Sequence, residues 1–533
     1  MSILVVDALA SGSIGKRVVT VDVIGAGPRT VVGVLEGQGL DADLYTIDKV
    51  MTDRNILRSY KVLMISAMSI DEASVAKLVR SWRRFNPRSL VILGGPITSD
   101  PESIIRVNAD IGIHGESEPV LEKLAKIIDL DKGIIDYDEV KNICGTIYKY
   151  NGSIKINQRC PIMTRREWEK YRPSTRVITS YPIYWAARVY VETVRGCSNY
   201  TFPSLEDLIP VEYLPSKPRP GCAYCSVIHL WGYARSRSIS LVYDEIKKLI
   251  DEGARRIVLS GPDFLDYGRD WLIEPKPLVN PFTPPPNTRA IEELLHRLYS
   301  IPEVSSGEAK IMVENVKPNL VTEEAARVLG KYLKGTPVHL GAETGDDNLL
   351  KALGRPAFTS DVFRAIRLLK KYGLRPYVYI MYCLPGETPR SVQKTLRYME
   401  KIYKLGAEKI TAYKFTPLPG SYLEKIPASA LPCKKGVHPV KAKAIELNKR
   451  SKKKMIGKVL RFIIVDYSKR YKGYIAYPLA HGPVTVIKTG SEEKRISKRC
   501  IVDARVTSII NDRVVKAYLT RIVRCKQGGI EAP

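Results

Sequence analysis

Three cysteines carry the first chemical signal in this 533-residue sequence: Cys222 and Cys225 in PGCAYCSV, and Cys197 in VRGCSNY. The two-residue spacing of Cys222 and Cys225 lets both thiolates reach one metal centre from a single turn. The same pair fits a Cys3His zinc site in which His229 is the nearest fourth ligand, or a redox dithiol that needs no Cys197. Cys197 directly follows a strand-like run, and the pair precedes the helix-opening stretch YARSRSISLVYDEI.

The elements that must position these residues are legible as alternating patterns. Residues 3 to about 130 alternate ILVVD, DADLYTI, KVLMIS, SLVIL and ADIGI with helical periodicity near 28–38, 70–84 and 117–128, which predicts a doubly wound parallel sheet. Ligands of such sheets sit beyond the strand carboxyl ends. There the sequence places Asp7, Ser66 through Ser69, Gly94-Gly95-Pro96 and Gly115-Glu116, small or turn-forming residues that let a bulky cofactor approach the backbone. Residues 136–187 read as a connector with small strands. A second series follows, VYVETV, RRIVLSG, AKIMVEN, PVHLGAE, YVYIMY and EKITAYK, with helices near 240–251, 288–299, 322–332, 360–372 and 389–404. Six strand and helix units over 188–425 predict a partial (β/α)6 barrel with function at the strand carboxyl ends. Residues 440–525 open with a basic helix and continue as short β segments, a small barrel or sandwich.

The net charge is +28, and residues 431–533 supply +18 of it, with 25 Lys and Arg against seven Asp and Glu. So local a surplus points to a polyanionic partner such as RNA, DNA or an anionic membrane face. Lys449, Arg450, Lys452, Lys453 and Lys454 form one basic cluster, while Lys469, Arg470 and Lys472 alternate with Tyr467, Tyr471 and Tyr474, offering phosphate contacts and stacking rings. No long apolar run predicts a membrane span, and the start MSILVVDALASGS reads as a strand and turn rather than a leader, so a cytoplasmic location is expected. Nine irregularly spaced cysteines argue against a secreted disulfide scaffold. Cys383 and Cys433 read as buried small hydrophobes; Cys144 with Cys160, and Cys500 with Cys525, are expected to pair only if the source is a hyperthermophile.

With Tyr224 as the aromatic residue before the last cysteine, this constellation resembles the radical S-adenosylmethionine family, whose members place three cysteines as CxxxCxxC after the first barrel strand. Here 24 residues separate Cys197 from Cys222. The resemblance implies a 4Fe-4S cluster on Cys197, Cys222 and Cys225, with S-adenosylmethionine on the open iron. It implies further contacts: Ser260, Gly261 and Asp263 in SGPD near the methionine amino group, Glu343 at the ribose, Arg355 at the methionine carboxylate, and Gly386 with Glu387 near the adenine. Residues 1–135 resemble the cobalamin-binding domain that precedes many such barrels, through VLMISAMS, VILGGPITSDPE and DIGIHGESEPVLEKL, which implies cobalamin near Ser66, Ser69, Gly94, Gly95, Gly115 and Glu116. No DxHxxG motif offers a lower cobalt ligand, and His114 reads as a turn residue. The segment from Gly457 to Tyr518 resembles the RNA-binding TRAM domain of methylthiotransferases. Residues 1–143 contain no cysteine for the second cluster of those enzymes. The expected activity is therefore cobalamin-assisted methylation or a related C–H functionalisation of RNA, probed against a lipid, tetrapyrrole or protein substrate, a methylthiotransferase-like reaction, and a non-catalytic RNA-binding metalloprotein. An electron donor such as ferredoxin or flavodoxin is implied.

Overall fold

The computed structural model describes residues 3–11, 21–150, 152–433, 436–490, 496–511 and 513–525. Residues 1, 2, 12 and 13 of the expected N-terminal strand and turn lie outside them.

The first sheet contains β1 (Ile3–Asp7), β2 (Ala42–Thr46), β3 (Val62–Ser66), β4 (Val91–Gly94) and β5 (Ile111–Ile113), all parallel, in the order β2-β1-β3-β4-β5. Every residue of ILVVD is buried, as a central parallel strand covered on both faces requires. The order reverses between β1 and β3, which makes their carboxyl ends the switch point where a ligand fits. The stretch expected as a connector contributes to this sheet: β6 (Thr146–Tyr150) and β7 (Ser153–Ile156) add antiparallel to the edge of β5 and bury its open hydrogen-bonding side.

The second unit is the expected open barrel. Its parallel strands β8 (Arg188–Glu192), β9 (Arg256–Ser260), β10 (Lys310–Val313), β11 (Pro337–Glu343), β12 (Arg375–Tyr382) and β13 (Lys409–Lys414) follow in sequence, Asn315–Val316 carrying the pairing from β10 to β11. The intervening helices bury one apolar stripe each; helix Ile239–Asp251 sinks Val242, Ile246, Leu249 and Ile250. Val23–Ile24 crosses from the first unit and pairs with the free edge of β8. Arg29 is fully buried behind it, donating to Tyr190 O at 2.7 Å and to Glu245 at 2.8 Å.

Helix Pro439–Lys453 belongs to this barrel rather than to the C-terminal domain. Val440, Ala444 and Leu447 are buried, and the Asn448 amide pairs with the N–H and C=O of Ile410 on β13, at 2.8 and 2.7 Å. Arg450 of the basic cluster meets Glu400 at 3.2 Å. The small domain therefore begins at β14 (Val459–Ser468) and continues through β15 (Gly473–Pro478), β16 (Val484–Lys488), β17 (Ile501–Ile509) and β18 (Val514–Arg524) as a closed barrel, order β14-β15-β16-β18-β17. Phe462, Ile464, Ala476, Ile487 and Val502 fill it. Tyr474, expected as a stacking ring, is buried there with its hydroxyl on Ile496 O at 3.1 Å, whereas Tyr467 stands exposed edge-on against it.

This barrel docks on the amino-terminal ends of the parallel strands. Trp185, ahead of β8, donates to Ile464 O at 3.2 Å, Arg375 at the start of β12 donates to Ala480 O and His481 O at 3.2 and 3.0 Å, and Arg461 donates to Gly307 O before β10. Ile463, Val465, Tyr477, Leu479 and Ile501 supply the apolar contact with Ala186.

Six cysteines are paired: Cys144–Cys160, Cys383–Cys433 and Cys500–Cys525. The middle pair corrects the expectation of two isolated buried thiols, because the chain after β13 folds back across the end of β12. Cys197, Cys222 and Cys225 alone are free.

Candidate active site

After β8, Thr193 donates to Ser260 O, and Val194–Arg195 then pairs antiparallel with Arg235–Ser236. Gly196 turns the chain with φ +76°; a Cβ there would lie 2.0 Å from Tyr233 O, so only glycine fits. Cys197 follows at the barrel mouth. The 24-residue excursion to Cys222 is pinched at its neck: Gly221 N–H donates to Thr201 O at 2.8 Å, and the Asn199 amide donates to Cys222 Sγ at 3.3 Å and Gly354 O at 2.9 Å. The Asn199 backbone N–H points at Cys197 Sγ, 3.4 Å away. Cys222 and Cys225 share one turn, closed by Cys225 N–H to Cys222 O at 2.9 Å, which leads into helix Val227–Trp231. Leu205 and Ile209 of the excursion pack with Leu349, Leu384, Phe415 and Leu423 over the ends of β11 and β12.

Burial pushes the Cys225 thiol up to about 12, reinforced by Cys222, and raises Cys197, with Lys317 opposing. Such thiols keep their protons until a cationic centre displaces them.

Behind Cys222 lies a buried polar group. Arg355 donates to Gly341 O at 2.6 Å, approaches Cys222 Sγ at 3.6 Å and meets Glu343 at 3.5 Å. A Cβ on Gly341 would fall 2.6 Å from the Glu343 carboxylate and 2.7 Å from the guanidinium, so a larger residue on this strand would displace those two side-chain ends. Burial raises the Glu343 carboxyl against the pull of Arg355. Arg355 Nε is buried with no hydrogen-bond partner among the described residues, and the buried Tyr224 hydroxyl faces the Glu343 carboxylate beside the cysteines.

Ser260 ends β9, its carbonyl held by Thr193, and Gly261 lies so close to Val194 that a Cβ would meet it at 2.8 Å. Asp263 is turned inward: it accepts from Leu265 N–H and Lys317 N–H, both at 3.0 Å, with Lys317 Nζ at 3.2 Å. Gly386, at φ +80°, packs beneath Leu208 of the excursion. Glu387 accepts from Cys383 N–H at 3.2 Å and lies 3.1 Å from His438 Nε2. Its burial raises the carboxyl to about 7. A carboxyl raised on folding supports the folded state most below the ordinary value near 4.5 and loses that support as pH climbs through about 7. The variant Glu387→Gln should thus gain melting temperature relative to the parent between about pH 4.5 and 7; a difference constant across that window in calorimetry excludes the linkage.

In the first sheet, Ser66 faces Gly27, Ser69 donates to Pro96 O at 3.3 Å, Gly94 ends β4, and Gly95 turns above Ala67. Gly115 opens onto free space, and Met68 and Ile70 are each 49 % exposed along the same edge. Glu116 is committed elsewhere: it joins this edge to the cysteine loop through Arg235 at 2.9 Å, Arg195 at 3.3 Å and Met163 N–H at 2.7 Å. His114, read as a turn residue, has both ring nitrogens engaged, by Arg159 and Asn157 O. His229, the alternative zinc ligand, accepts from Arg159 at 2.6 Å, away from the thiols. Ser198, Asn199, Asp266 and Lys317 also belong to the site; adjacency to Cys197 marks the first two in the sequence, and no local motif marks Lys317.

The arrangement defines a parallel-barrel protein whose three free cysteines lie beside the buried polar group of Arg355 and Glu343. The radical SAM superfamily profile matches residues 219–399, over the CxxC turn, Glu343 and Arg355. An uncharacterized protein of Methanocaldococcus jannaschii is 38% identical over 532 residues, covering 98% of this chain and 100% of its own. The threonylcarbamoyladenosine tRNA methylthiotransferase MtaB of Thermotoga maritima is 22% identical over 77% of this chain and 79% of its own. Among solved structures, the radical S-adenosylmethionine methyltransferase TsrM from Kitasatospora setae, with cobalamin and a [4Fe-4S] cluster bound, shares the fold with a TM-score of 0.59 at 16% identity, over 80% of this chain and 77% of its own. The chain belongs to the radical SAM superfamily, whose members use a 4Fe-4S cluster and S-adenosylmethionine. The chemistry of the donor set fits that pair of cofactors, three free half-buried thiols with Arg355 Nε as an unmet polar group beside Cys222, although the described residues do not hold the three thiols in a preformed metal-binding cluster.

Proposed function

We propose that this radical SAM enzyme methylates, or otherwise functionalises a C–H bond of, structured RNA, tRNA first, with cobalamin held on the carboxyl edge of the first sheet. The observation that carries the reading is the abutment of that edge on the cysteine loop through Glu116, Arg195 and Arg235. When bound, a cluster on the three cysteines together with S-adenosylmethionine would supply one-electron radical initiation, and cobalamin would supply methyl-transfer chemistry. In this reading, Cys197, Cys222 and Cys225 hold the cluster. Arg355 fixes the methionine carboxylate, Glu343 the ribose hydroxyls, and the apolar underside of the excursion keeps water out. Ser66, Ser69, Gly94, Gly95 and Gly115 border the cobalamin seat, and Glu116 braces it from below. A ferredoxin or flavodoxin delivers the electron. The basic small barrel and the tRNA-directed name of the MtaB relative support RNA; the absence of cysteine before Cys144 favours methyl transfer over sulfur insertion. No helix among the described residues is long and apolar enough to cross a membrane, and the working location is the cytoplasm.

Docking of the small barrel at the far end of the parallel barrel favours a second reading, in which it is only a docking surface and the chemistry falls on a lipid, tetrapyrrole or protein side chain. Anaerobic purification with iron, sulfide and cobalamin analysis tests the cofactors. Comparing modified nucleosides from a deletion strain and its parent tests the substrate: one nucleoside should vanish, and an unchanged profile counts against RNA. Arg355→Ala should weaken S-adenosylmethionine binding by about 10–100-fold, read by titration calorimetry; undiminished affinity removes Arg355 from the pocket.

A further inference from the structure

We infer that the base of the parallel barrel carries a second binding site, a cavity of about 450 Å³ that takes closely spaced phosphate groups. It opens between the small barrel and the amino-terminal ends of β10 and β12, the opposite end from the cysteines. Six cationic side chains line it: Lys310, Lys334, Lys370, Arg375, Lys458 and Arg461. Two are internally compensated, Arg375 by Glu408 at 3.0 Å and Arg461 by Asp503 at 2.9 Å. The side chains of the four lysines form no hydrogen bond or salt bridge with any described residue, and the one carboxylate on the lining, Glu408, is already paired with Arg375 and is felt by Lys370 and Lys458, so positive charge is in clear surplus in this space. Burial lowers the Lys310 ammonium, and Arg461 adds to that cost.

The lysine stems are seated rather than loose. Lys334 lies along Gly373 and Lys370 along Gly406, where an added Cβ would meet them at 3.0 and 3.1 Å. Met455, Leu460 and Leu479 supply an apolar wall on the small-barrel side. Each phosphate brings one or two negative charges, so two or three adjacent phosphates match four lysines where a single carboxylate does not. The two sources of that chemistry are the backbone of a nucleic acid and a free polyphosphate ligand.

The test uses the full chain and inorganic tripolyphosphate in titration calorimetry. The intact protein should bind it, and Lys334→Gln with Lys370→Gln should weaken binding at least tenfold. Lys123→Gln with Lys248→Gln, a control pair of exposed lysines outside the cavity, should leave it unchanged. Both cavity lysines have exposed heads, so the pair should fold, and matching circular dichroism verifies that. No binding by the intact protein, affinity untouched by the cavity pair, or equal loss in both pairs overturns the site. A tRNA transcript then identifies the source: displacement of tripolyphosphate assigns the cavity to an RNA backbone, and independent binding assigns it to a free polyphosphate. The outcome is independent of the reaction at the cysteines.

Discussion

Cys197→Ala alone will reduce 5′-deoxyadenosine formation to background, as fully as the triple change of Cys197, Cys222 and Cys225, a loss of at least ~10³-fold or about 4 kcal/mol of barrier. The reasoning is geometric. A redox dithiol built on the CxxC turn has no use for Cys197, and His229, the fourth ligand a Cys3His zinc site would need, is engaged by Arg159, whereas the excursion is cinched so that Asn199 touches both Cys197 and Cys222. Three thiolates leave one iron free for S-adenosylmethionine, and two cannot secure the cluster in that state. The substitution is small and sits at a loop held by Cys197 N–H on Gly232 O, so far-UV circular dichroism should stay that of the parent. Retained visible cluster absorbance with full 5′-deoxyadenosine yield in Cys197→Ala would return the site to the CxxC pair alone.

The largest stability effect is expected beneath that cysteine. Lys317 Nζ reaches Asp266 at 2.8 Å, Asp263 at 3.2 Å and Ser198 Oγ at 2.8 Å, and Arg269 completes the group by pairing with Asp266. Both aspartates are fully buried. Lys317→Met leaves two carboxylates without their shared cation, and removing one partner of a buried pair costs about 3–5 kcal/mol. Denaturant unfolding followed by fluorescence measures it, and a change below 1 kcal/mol would show that the group reorganises freely. Because Ser198 adjoins Cys197, cluster loading should fall in the same variant.

Much of this was legible because both parallel units repeat buried strands and one-striped helices, and that periodicity is written residue by residue in runs such as ILVVD and PVHLGAE. Cys197, Glu343 and Arg355 were legible for the related reason that they terminate or follow those runs. The neck between Thr201 and Gly221 was not, since a backbone hydrogen bond leaves no residue signature. Neither was the Cys383–Cys433 pairing, which depends on where the chain goes after β13. Helix Pro439–Lys453 looked like part of the basic domain by charge, but its allegiance is decided by Asn448 and a modest apolar face. Glu116 shows the opposite failure: its position at a strand end suggested a ligand contact, and two arginines distant in sequence claimed it.

The placement of the small barrel acts as a ruler. Its contacts lie at the start of β12, and Cys383 marks the other end, eight strand residues later. At ~3.3 Å per residue the two ends stand about 26 Å apart. Any molecule gripped below while it reacts above must be at least that long, so a free nucleoside or a two-nucleotide fragment would enter the mouth without the grip, and turnover should rise steeply once the substrate is long enough to bridge both ends.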